Sequence, residues 1–316
     1  MVTNLKQSAP QSVEKPFFIS EILRKYWLPI VFLLPAAFFL VAFIAIPMGQ
    51  AILLSFQRWN GIEDATWVGL RNFRLLLQDD LFWQSLSHVG YYTVATVIFN
   101  ATIPLIIASL LNSGIYGSTV FRFLYFMPVI ISLAITGMLW RAILEPNFGI
   151  LNEMLRDVGL ESWTRLWLAD KNLALPSIIV VSVWQSFGFF VVIYFAAMQT
   201  IPQELYESAS IDGANAWHRF RFITVPMLRS TITVTIVLTT IGGIKVFDQV
   251  WVMTTGGPNH ASETLGTYLY RVAFGAGGSS NPQYGYATAI ALLILVLSLI
   301  FSIIQIRLGR VGEVEL

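Results

Sequence analysis

Cysteine is absent from this 316-residue sequence, and charged residues are scarce. Without cysteine the chain has no disulfide bond and no thiolate metal site. Charged residues make up 12% of the chain, whereas soluble domains carry about 25%. The formal net charge is only +1, which gives no electrostatic footprint for a nucleic-acid partner. His88, His218 and His260 lie in different segments and do not have the spacing of a metal site.

Hydrophobic residues, by contrast, are abundant: they make up 56% of the chain and are arranged in long runs. A transmembrane helix needs about 20 mainly apolar residues. The runs lack the alternation of barrel strands, and lipid permits only helices or closed barrels. We therefore predict an all-α membrane protein, a bundle of six transmembrane helices. Their approximate bounds are 28–56, 86–111, 119–143, 175–199, 228–253 and 284–306.

The polar N-terminal residues precede an apolar run that is too long for a signal peptide, whose hydrophobic region has about 7–15 residues. We expect three segments: an N-terminal tail at 1–26, a transmembrane domain at 27–308 and a C-terminal tail at 309–316. With both tails in the cytoplasm, ten Lys and Arg residues lie on the cytoplasmic side and eight outside. Arg24 and Lys25 flank the first span, so the positive-inside rule favours this orientation.

Two loops are large for connections, at 57–85 and 144–174. Within the second loop, apolar residues of Asn147–Glu161 recur at helical spacing. This pattern predicts a short amphipathic helix, which either lies at the membrane interface or docks a soluble partner.

The loop at 200–227 is polar enough to stay outside lipid and has the pattern of two helices around a glycine. Pro202 suits the first position of a helix, and the acidic Glu204 in the first turn complements the helix dipole. Gly213 tolerates a positive φ and ends this helix. A second helix is expected from about Asn215, with Asp212 as its cap.

This loop resembles the cytoplasmic "EAA" loop of binding-protein-dependent ABC importers. The resemblance rests on Glu207-Ser208-Ala209, Asp212-Gly213-Ala214, Phe220, Ile223 and Pro226. The chain departs from the family pattern at Ser208, where the family has Ala, and at Val225, where it has Leu. The resemblance implies the type I ABC importer permease fold and a coupling helix that inserts into a separate ATPase. The residues it assigns to this coupling are Glu207, Ala209, Asp212, Gly213 and Ala214.

A second segment, from Phe247 to Pro258 and followed by Glu263-Thr264-Leu265, is similar to sugar permeases of the maltose, lactose and glycerol-phosphate group. It is similar to the first permease of each pair. The resemblance implies a multi-pass inner-membrane subunit that works with a second homologous permease, a dimer of ATPase subunits and an extracytoplasmic solute-binding protein. ATP and Mg would then bind in the partner ATPase, because this chain has no G-x-x-x-x-G-K-[ST] sequence. No cofactor of its own and no enzymatic activity are expected.

The sugar site is expected near the bilayer midplane, where transporter helices are broken. Gly242-Gly243 interrupts the fifth span, and Lys245 and Asp248 follow on what we predict to be one helical face. Sugars need hydrogen-bonding side chains and an aromatic face. Together with the family's use of its fourth and fifth spans, this gives as candidate sugar-binding residues Trp184, Gln185, Ser186, Phe189, Thr239, Gly243, Lys245 and Asp248.

Other interpretations stay open at this stage. The aromatic residues are also compatible with packing, and Lys245 and Asp248 with snorkelling to the outer interface. An ion-coupled transporter would use the same charged pair, although such folds usually contain internal repeats and this sequence has none. An intramembrane enzyme would need a catalytic set such as His-Glu-x-x-His, which the sequence lacks.

Overall fold

A computed structural model describes residues 18–275 and 282–310, which are mostly helical. Parts of the two predicted tails, residues 1–17 and 311–316, lie outside the described residues. The first helix begins at Phe18, inside the segment predicted as the N-terminal tail. The described residues divide into two compact units, one before and one after the Leu53–Leu54 bond.

The helices are numbered here in chain order. They are α1 (Phe18–Leu40), α2 (Ile46–Ser55), α3 (Arg71–Leu77), α4 (Asp80–Asn112), α5 (Ser118–Ile130), α6 (Leu133–Ile143), α7 (Ile150–Asp157), α8 (Ala174–Met198), α9 (Gln203–Ile211), α10 (Ala216–Arg219), α11 (Val225–Met227), α12 (Arg229–Ile244), α13 (Asp248–Thr254), α14 (Leu265–Phe274) and α15 (Tyr284–Arg310). π-Helical turns span Val41–Ala45 and Phe220–Thr224, and a 3₁₀ turn spans Glu161–Trp163. Strands β1 (Gln57–Arg58) and β2 (Thr66–Trp67) pair antiparallel.

Within the described residues, four helical runs are long and apolar enough to cross a membrane. They are Val31–Ser55, Asp80–Asn112, Ala174–Met198 and Tyr284–Gly309. Two bent pairs of helices reach the same length and composition together, namely Ser118–Ile130 with Leu133–Ile143 and Ala216–Met227 with Arg229–Ile244. The predicted number of six spans is reached when each bent pair counts as one span.

The third span is broken at Ile131, where α5 and α6 meet at 97°. Pro128 lies inside the last turn of α5 and has no N–H to donate. Ile131 is extended (φ −75°, ψ 133°), and the Ser132 side chain then accepts a bond from the Ile135 N–H to start α6. Ile131 and Ser132 are therefore enough to change the direction of the chain and to start a new helix.

The fifth predicted span, 228–253, is wrong in its second half. Helix α12 ends at Ile244, and Lys245 caps it with φ −96° and ψ 7°. Phe247 is not helical (φ −141°, ψ −62°), and α13 begins at Asp248. The hydrophobic pattern continues through this break, which is why the sequence did not reveal it. Gly242 and Gly243, predicted to interrupt the span, lie inside α12.

The helix predicted at 147–161 is confirmed as the shorter α7. Asn152 fixes it, because its Nδ2 donates to the carbonyls of Pro146 and Arg165 at 3.1 and 3.0 Å. The Trp167 Nε1 donates to the Asn152 Oδ1 at 2.8 Å. The predicted apolar stripe is divided: Ile150, Met154 and Val158 point outward, with exposed fractions of 56%, 61% and 70%.

The largest contact in the described part of the bundle is between α4 and α8, and α5 also packs on α8. One core cluster joins these helices to the start of α12 and consists of Leu105, Ala108, Leu111, Phe190, Val191, Tyr194, Met198, Ile201 and Leu228. Gly188 allows the close approach of α5, since a Cβ there would lie 1.8 Å from the Tyr125 carbonyl oxygen. No side chain fits at this point without moving a backbone.

Replacement of Gly188 by alanine therefore tests this contact. Because the clash is with backbone, we expect Gly188→Ala to destabilise the bundle by about 1–3 kcal/mol, the usual cost of overpacking. The thermal midpoint of the purified protein in lipid nanodiscs measures this. Gly90→Ala is the matched control, since a Cβ at Gly90 meets nothing within 4 Å. Equal midpoints for the two variants would contradict the contact.

Candidate functional site

A cavity of about 600 Å³ lies where the two helix breaks meet α4 and α8. Its wall is formed by α4, the α5–α6 break, α8, α12 and the α12–α13 break. The side chains that the argument uses are Tyr92, Asn100, Gln185, Ser186, Phe189, Thr239, Lys245, Phe247, Asp248 and Gln249. A volume of this size is typical of small-ligand sites, which range over about 300–1,000 Å³.

Seven of the eight residues predicted for sugar binding line this cavity. They are Gln185, Ser186, Phe189, Thr239, Gly243, Lys245 and Asp248. The eighth, Trp184, is not in the lining. Its ring packs edge-to-face on Trp140, with centroids 5.3 Å apart, so the structure gives it a packing contact on another face of α8.

The two glycines of α12 differ in what surrounds them. A Cβ at Gly242 would meet nothing within 4 Å, so there is open space beside it. A Cβ at Gly243 would lie 2.5 Å from the Thr93 Oγ1 and 3.0 Å from its Cα. Gly243 is therefore a close-packing position against α4.

Lys245 and Asp248 both face the cavity but do not share a helical face. Lys245 ends α12, Asp248 begins α13, and two residues of non-helical chain lie between them. Within the described part of the chain, no hydrogen bond or ion pair joins the two side chains. The one shared helical face predicted for them is therefore wrong, and the two opposite charges leave the cavity without net charge.

Polar side chains of α8 are already engaged in the cavity wall. Gln185 donates from Nε2 to the Ile131 carbonyl at 2.8 Å and accepts at Oε1 from Gln249 Nε2 at 2.6 Å. The Ser186 hydroxyl donates to the Asn100 Oδ1 at 3.2 Å. By contrast, the buried Thr239 Oγ1 has no hydrogen-bond partner among the described residues.

Sequence reasoning missed several residues of the wall, including Tyr92, Thr96, Asn100, Phe247 and Gln249. A signal for two of them exists, because Thr96 and Asn100 are polar residues one helical turn apart in an apolar span. Gln249 has no such signal, since it contacts Gln185 across 64 positions of sequence.

The polar loop at 200–227 forms the predicted helix–glycine–helix element, here named the coupling segment. Helix α9 ends in a Schellman motif, with Ala214 N–H donating to the Ala209 carbonyl (2.8 Å) and Gly213 N–H to the Ser210 carbonyl (3.1 Å). Gly213 has φ +82°, as its predicted role requires. Asn215 caps α10 by accepting from the His218 N–H at 2.9 Å.

The expected cap, Asp212, instead ends α9. The reason is that the Schellman turn places two further residues between Asp212 and the first turn of α10. Sequence spacing alone did not reveal which of the two polar residues follows the turn.

The inner side of the coupling segment is fastened to the spans. Tyr206, Phe220 and Ile223 pack against the core cluster of α4 and α8. The Tyr206 hydroxyl lies 3.0 Å from the Thr224 Oγ1, and the Arg219 Nη1 donates to the Ser210 Oγ at 2.9 Å. The segment is therefore packed directly on the core of the bundle, and it leads into α12.

The outer side exposes large apolar residues. Ile211, Trp217 and Phe222 are exposed by 88%, 64% and 69%. Glu207 is exposed beside them, and its Oε1 accepts from the Gln203 Nε2 at 2.8 Å. A rigid apolar surface with a carboxylate nearby is typical of a protein-docking site.

Residues 100–310 match the family described as binding-protein-dependent transport system inner membrane component. The probable ABC transporter permease protein YurN of Bacillus subtilis (strain 168) is 37% identical over 91% of this chain and 98% of its own length. The multiple sugar-binding transport system permease protein MsmF of Streptococcus mutans is 32% identical over 94% of this chain and 99% of its own.

A solved structure agrees with these relatives in fold. It is a bacterial ABC transporter involved in the import of the acidic polysaccharide alginate, one chain of which superposes with a TM-score of 0.80 and 25% sequence identity. The superposition covers 94% of this chain and 99% of that one. The chain therefore belongs to the binding-protein-dependent transport system inner membrane components, as a permease subunit of the sugar type of ABC importer.

Proposed function

We propose that the 600 Å³ cavity is where this permease holds a sugar or oligosaccharide during import. The observation that carries the proposal is the meeting of two helix breaks, polar side chains and aromatic rings in one cavity of an otherwise apolar bundle. Asn100, Ser186 and Thr239 offer amide and hydroxyl groups for sugar hydroxyls. Phe189 and Phe247 offer aromatic surface for the C–H groups of a pyranose ring.

Lys245 and Asp248 give the cavity one cation and one anion, neither of which has an ion-pair partner among residues 18–275 and 282–310. Charged groups bond more strongly to hydroxyls than neutral ones do. Because the two charges cancel, the lining favours a neutral sugar over an acidic one. Gln185 remains a candidate contact, since its amide has a second N–H and a second lone pair beyond those already engaged.

The coupling segment is proposed to dock on a separate ATPase subunit. Glu207 and Asp212 would meet polar groups of that partner, while Ala209, Gly213 and Ala214 maintain the Schellman turn that orients the exposed face. The argument is mechanical, because a rigid segment that packs on α8 and α12 transmits a nucleotide-driven movement and a flexible loop does not.

The partners follow from this arrangement. We propose a second homologous permease, a dimer of ATPase subunits that binds ATP and Mg, and a solute-binding protein that delivers the sugar from outside. The chain lies in the inner membrane with both termini in the cytoplasm, so the coupling segment meets the cytoplasmic ATPase. The chain is not itself an enzyme, as is general for permease subunits of this family.

The function is tested by ATP hydrolysis of the complex reconstituted in lipid with a panel of sugars. The chain is co-expressed with its companion permease, ATPase and binding protein. We expect one sugar, together with its binding protein, to raise hydrolysis well above the basal rate. A complex that assembles but responds to no neutral sugar would contradict the proposed substrate class.

The coupling role is tested at Gly213, whose φ of +82° suits glycine alone. We expect Gly213→Val to strain the turn by about 1–2 kcal/mol and to reorient α9. Sugar-stimulated hydrolysis and uptake should both fall at least about tenfold, which is the effect of about 1.4 kcal/mol on a two-state equilibrium.

Gly159→Val is the matched control for Gly213→Val. Gly159 also has a positive φ (+77°), and at neither glycine would a Cβ meet anything within 4 Å. Gly159 follows α7 and is far in sequence from the coupling segment. The coupling role would be contradicted if Gly213→Val kept normal sugar-stimulated hydrolysis and uptake. It would also be contradicted if Gly159→Val lost them to the same extent.

The sugar site is tested at Thr239, which lines the cavity and whose Oγ1 has no hydrogen-bond partner among the described residues. We expect Thr239→Val to raise the KM for uptake by about threefold to tenfold, since one hydrogen bond contributes about 0.5–1.5 kcal/mol. Thr235→Val, one turn earlier on α12 and outside the lining, should leave the KM unchanged. The same KM shift in both variants would indicate a packing effect.

A further inference from the structure

Two broken helices expose backbone groups at the cavity. The Ile131 carbonyl belongs to the extended residue between α5 and α6, and α13 begins after the non-helical residues Val246 and Phe247. In a membrane protein such groups must be paired within the protein, because lipid supplies no partner. The side chains that pair them determine how firmly each break is held.

A continuous chain of hydrogen bonds connects the two breaks across α8. The Ser182 hydroxyl donates to the Gln249 Oε1, and the Gln249 Nε2 donates to the Gln185 Oε1 at 2.6 Å. The Gln185 Nε2 then donates to the Ile131 carbonyl at 2.8 Å. All three donors point in the same direction along the chain, an arrangement in which hydrogen bonds polarise and strengthen one another.

The chain is shielded from solvent although it borders the cavity. Gln249 and Gln185 are exposed by only 4% and 6%, and both belong to the cavity wall. A buried amide without a partner is costly. The bonds are therefore released only when another molecule with donors and acceptors takes their place. A sugar hydroxyl does both, since it donates one bond and accepts others.

We propose that Gln249 is a positioning residue that, through Gln185, fastens the α5–α6 break to the α12–α13 break until a sugar enters the cavity. The inference rests on the proposed function. Gln249 fixes the orientation of the Gln185 amide, and arrival of the sugar exchanges their shared bond for bonds to hydroxyls. The two breaks are then released from each other, and the bundle moves together with the coupling segment.

The test compares two glutamines that each connect helices through a side chain. Gln249→Met removes the amide but keeps a similar volume. Gln305→Met is the matched control, because the Gln305 Nε2 donates to the Thr240 Oγ1 at 2.8 Å between α15 and α12, where both helices are continuous. ATP hydrolysis of the reconstituted complex is measured without sugar and with sugar-loaded binding protein.

We expect Gln249→Met to raise sugar-independent hydrolysis about fivefold or more and to lower the ratio of stimulated to basal rates correspondingly, because ligand binding and bundle movement are linked reciprocally. Gln305→Met should stay within about twofold of the wild type, since its bond to Thr240 touches neither helix break. The double variant Gln185→Met with Gln249→Met should match Gln249→Met in sugar-independent rate, since both changes remove the same bond.

Three outcomes overturn the proposal. Gln249→Met that changes only the KM for sugar would make Gln249 a simple sugar contact. If Gln249→Met and Gln305→Met have the same sugar-independent rate of hydrolysis, Gln249 has no positioning role. Additive effects in the double variant would show that the two amides act separately. If Gln249→Met does not assemble, Gln249→Asn shortens the side chain while keeping the amide, and the same rise in basal rate is expected.

The wild-type complex separates this inference from the proposed function. A wild type without sugar-stimulated hydrolysis contradicts the proposed function itself. A stimulated wild type with an unaltered Gln249→Met variant contradicts the positioning role of Gln249 alone.

Discussion

Every backbone donor and acceptor that leaves a regular helix inside a bilayer must find a partner in the protein. This constraint organises the centre of the molecule. The third span turns by 97° at Ile131. There Gln185 of the neighbouring α8 donates a hydrogen bond to the Ile131 carbonyl, which the turn removes from the regular helix. The same glutamine meets the fifth span just after its own break. The cavity and the irregular backbone thus have the same cause. Each helix break needs polar side chains as hydrogen-bond partners, and these side chains need a space that excludes lipid.

The coupling segment obeys a different rule, because it lies outside the apolar spans. Its helices are too short to be stable alone, and they are held by a Schellman turn and by packing on α4 and α8. Rigidity on the inner side and apolar exposure on the outer side occur in the same few residues. The element therefore joins an external surface to the two spans that border the cavity, without an intervening flexible linker.

Much of this architecture is readable from the sequence. Six apolar runs of sufficient length predict six spans, and Gly213 predicts the turn because a positive φ favours glycine. The break at Lys245 was not predictable, because hydrophobic residues continue on both sides of it. The hydrophobic pattern of a sequence does not show where a backbone hydrogen bond of the helix is missing. The pairing of Gln185 with Gln249 was equally hidden, because it depends on how two distant helices cross. For Trp184 the sequence predicted the helix correctly but not the face. Its ring packs on Trp140 and so lies outside the cavity lining.

The apolar outer side of the coupling segment also has a consequence for the cell. Until the proposed ATPase partner covers Ile211, Trp217 and Phe222, these side chains stay exposed and present the kind of surface that chaperones and proteases recognise. Under the proposed function, mass action ties the lifetime of the chain to the supply of that partner. A copy made in excess would then be short-lived, and balanced synthesis of the subunits would follow from the chemistry of this one surface.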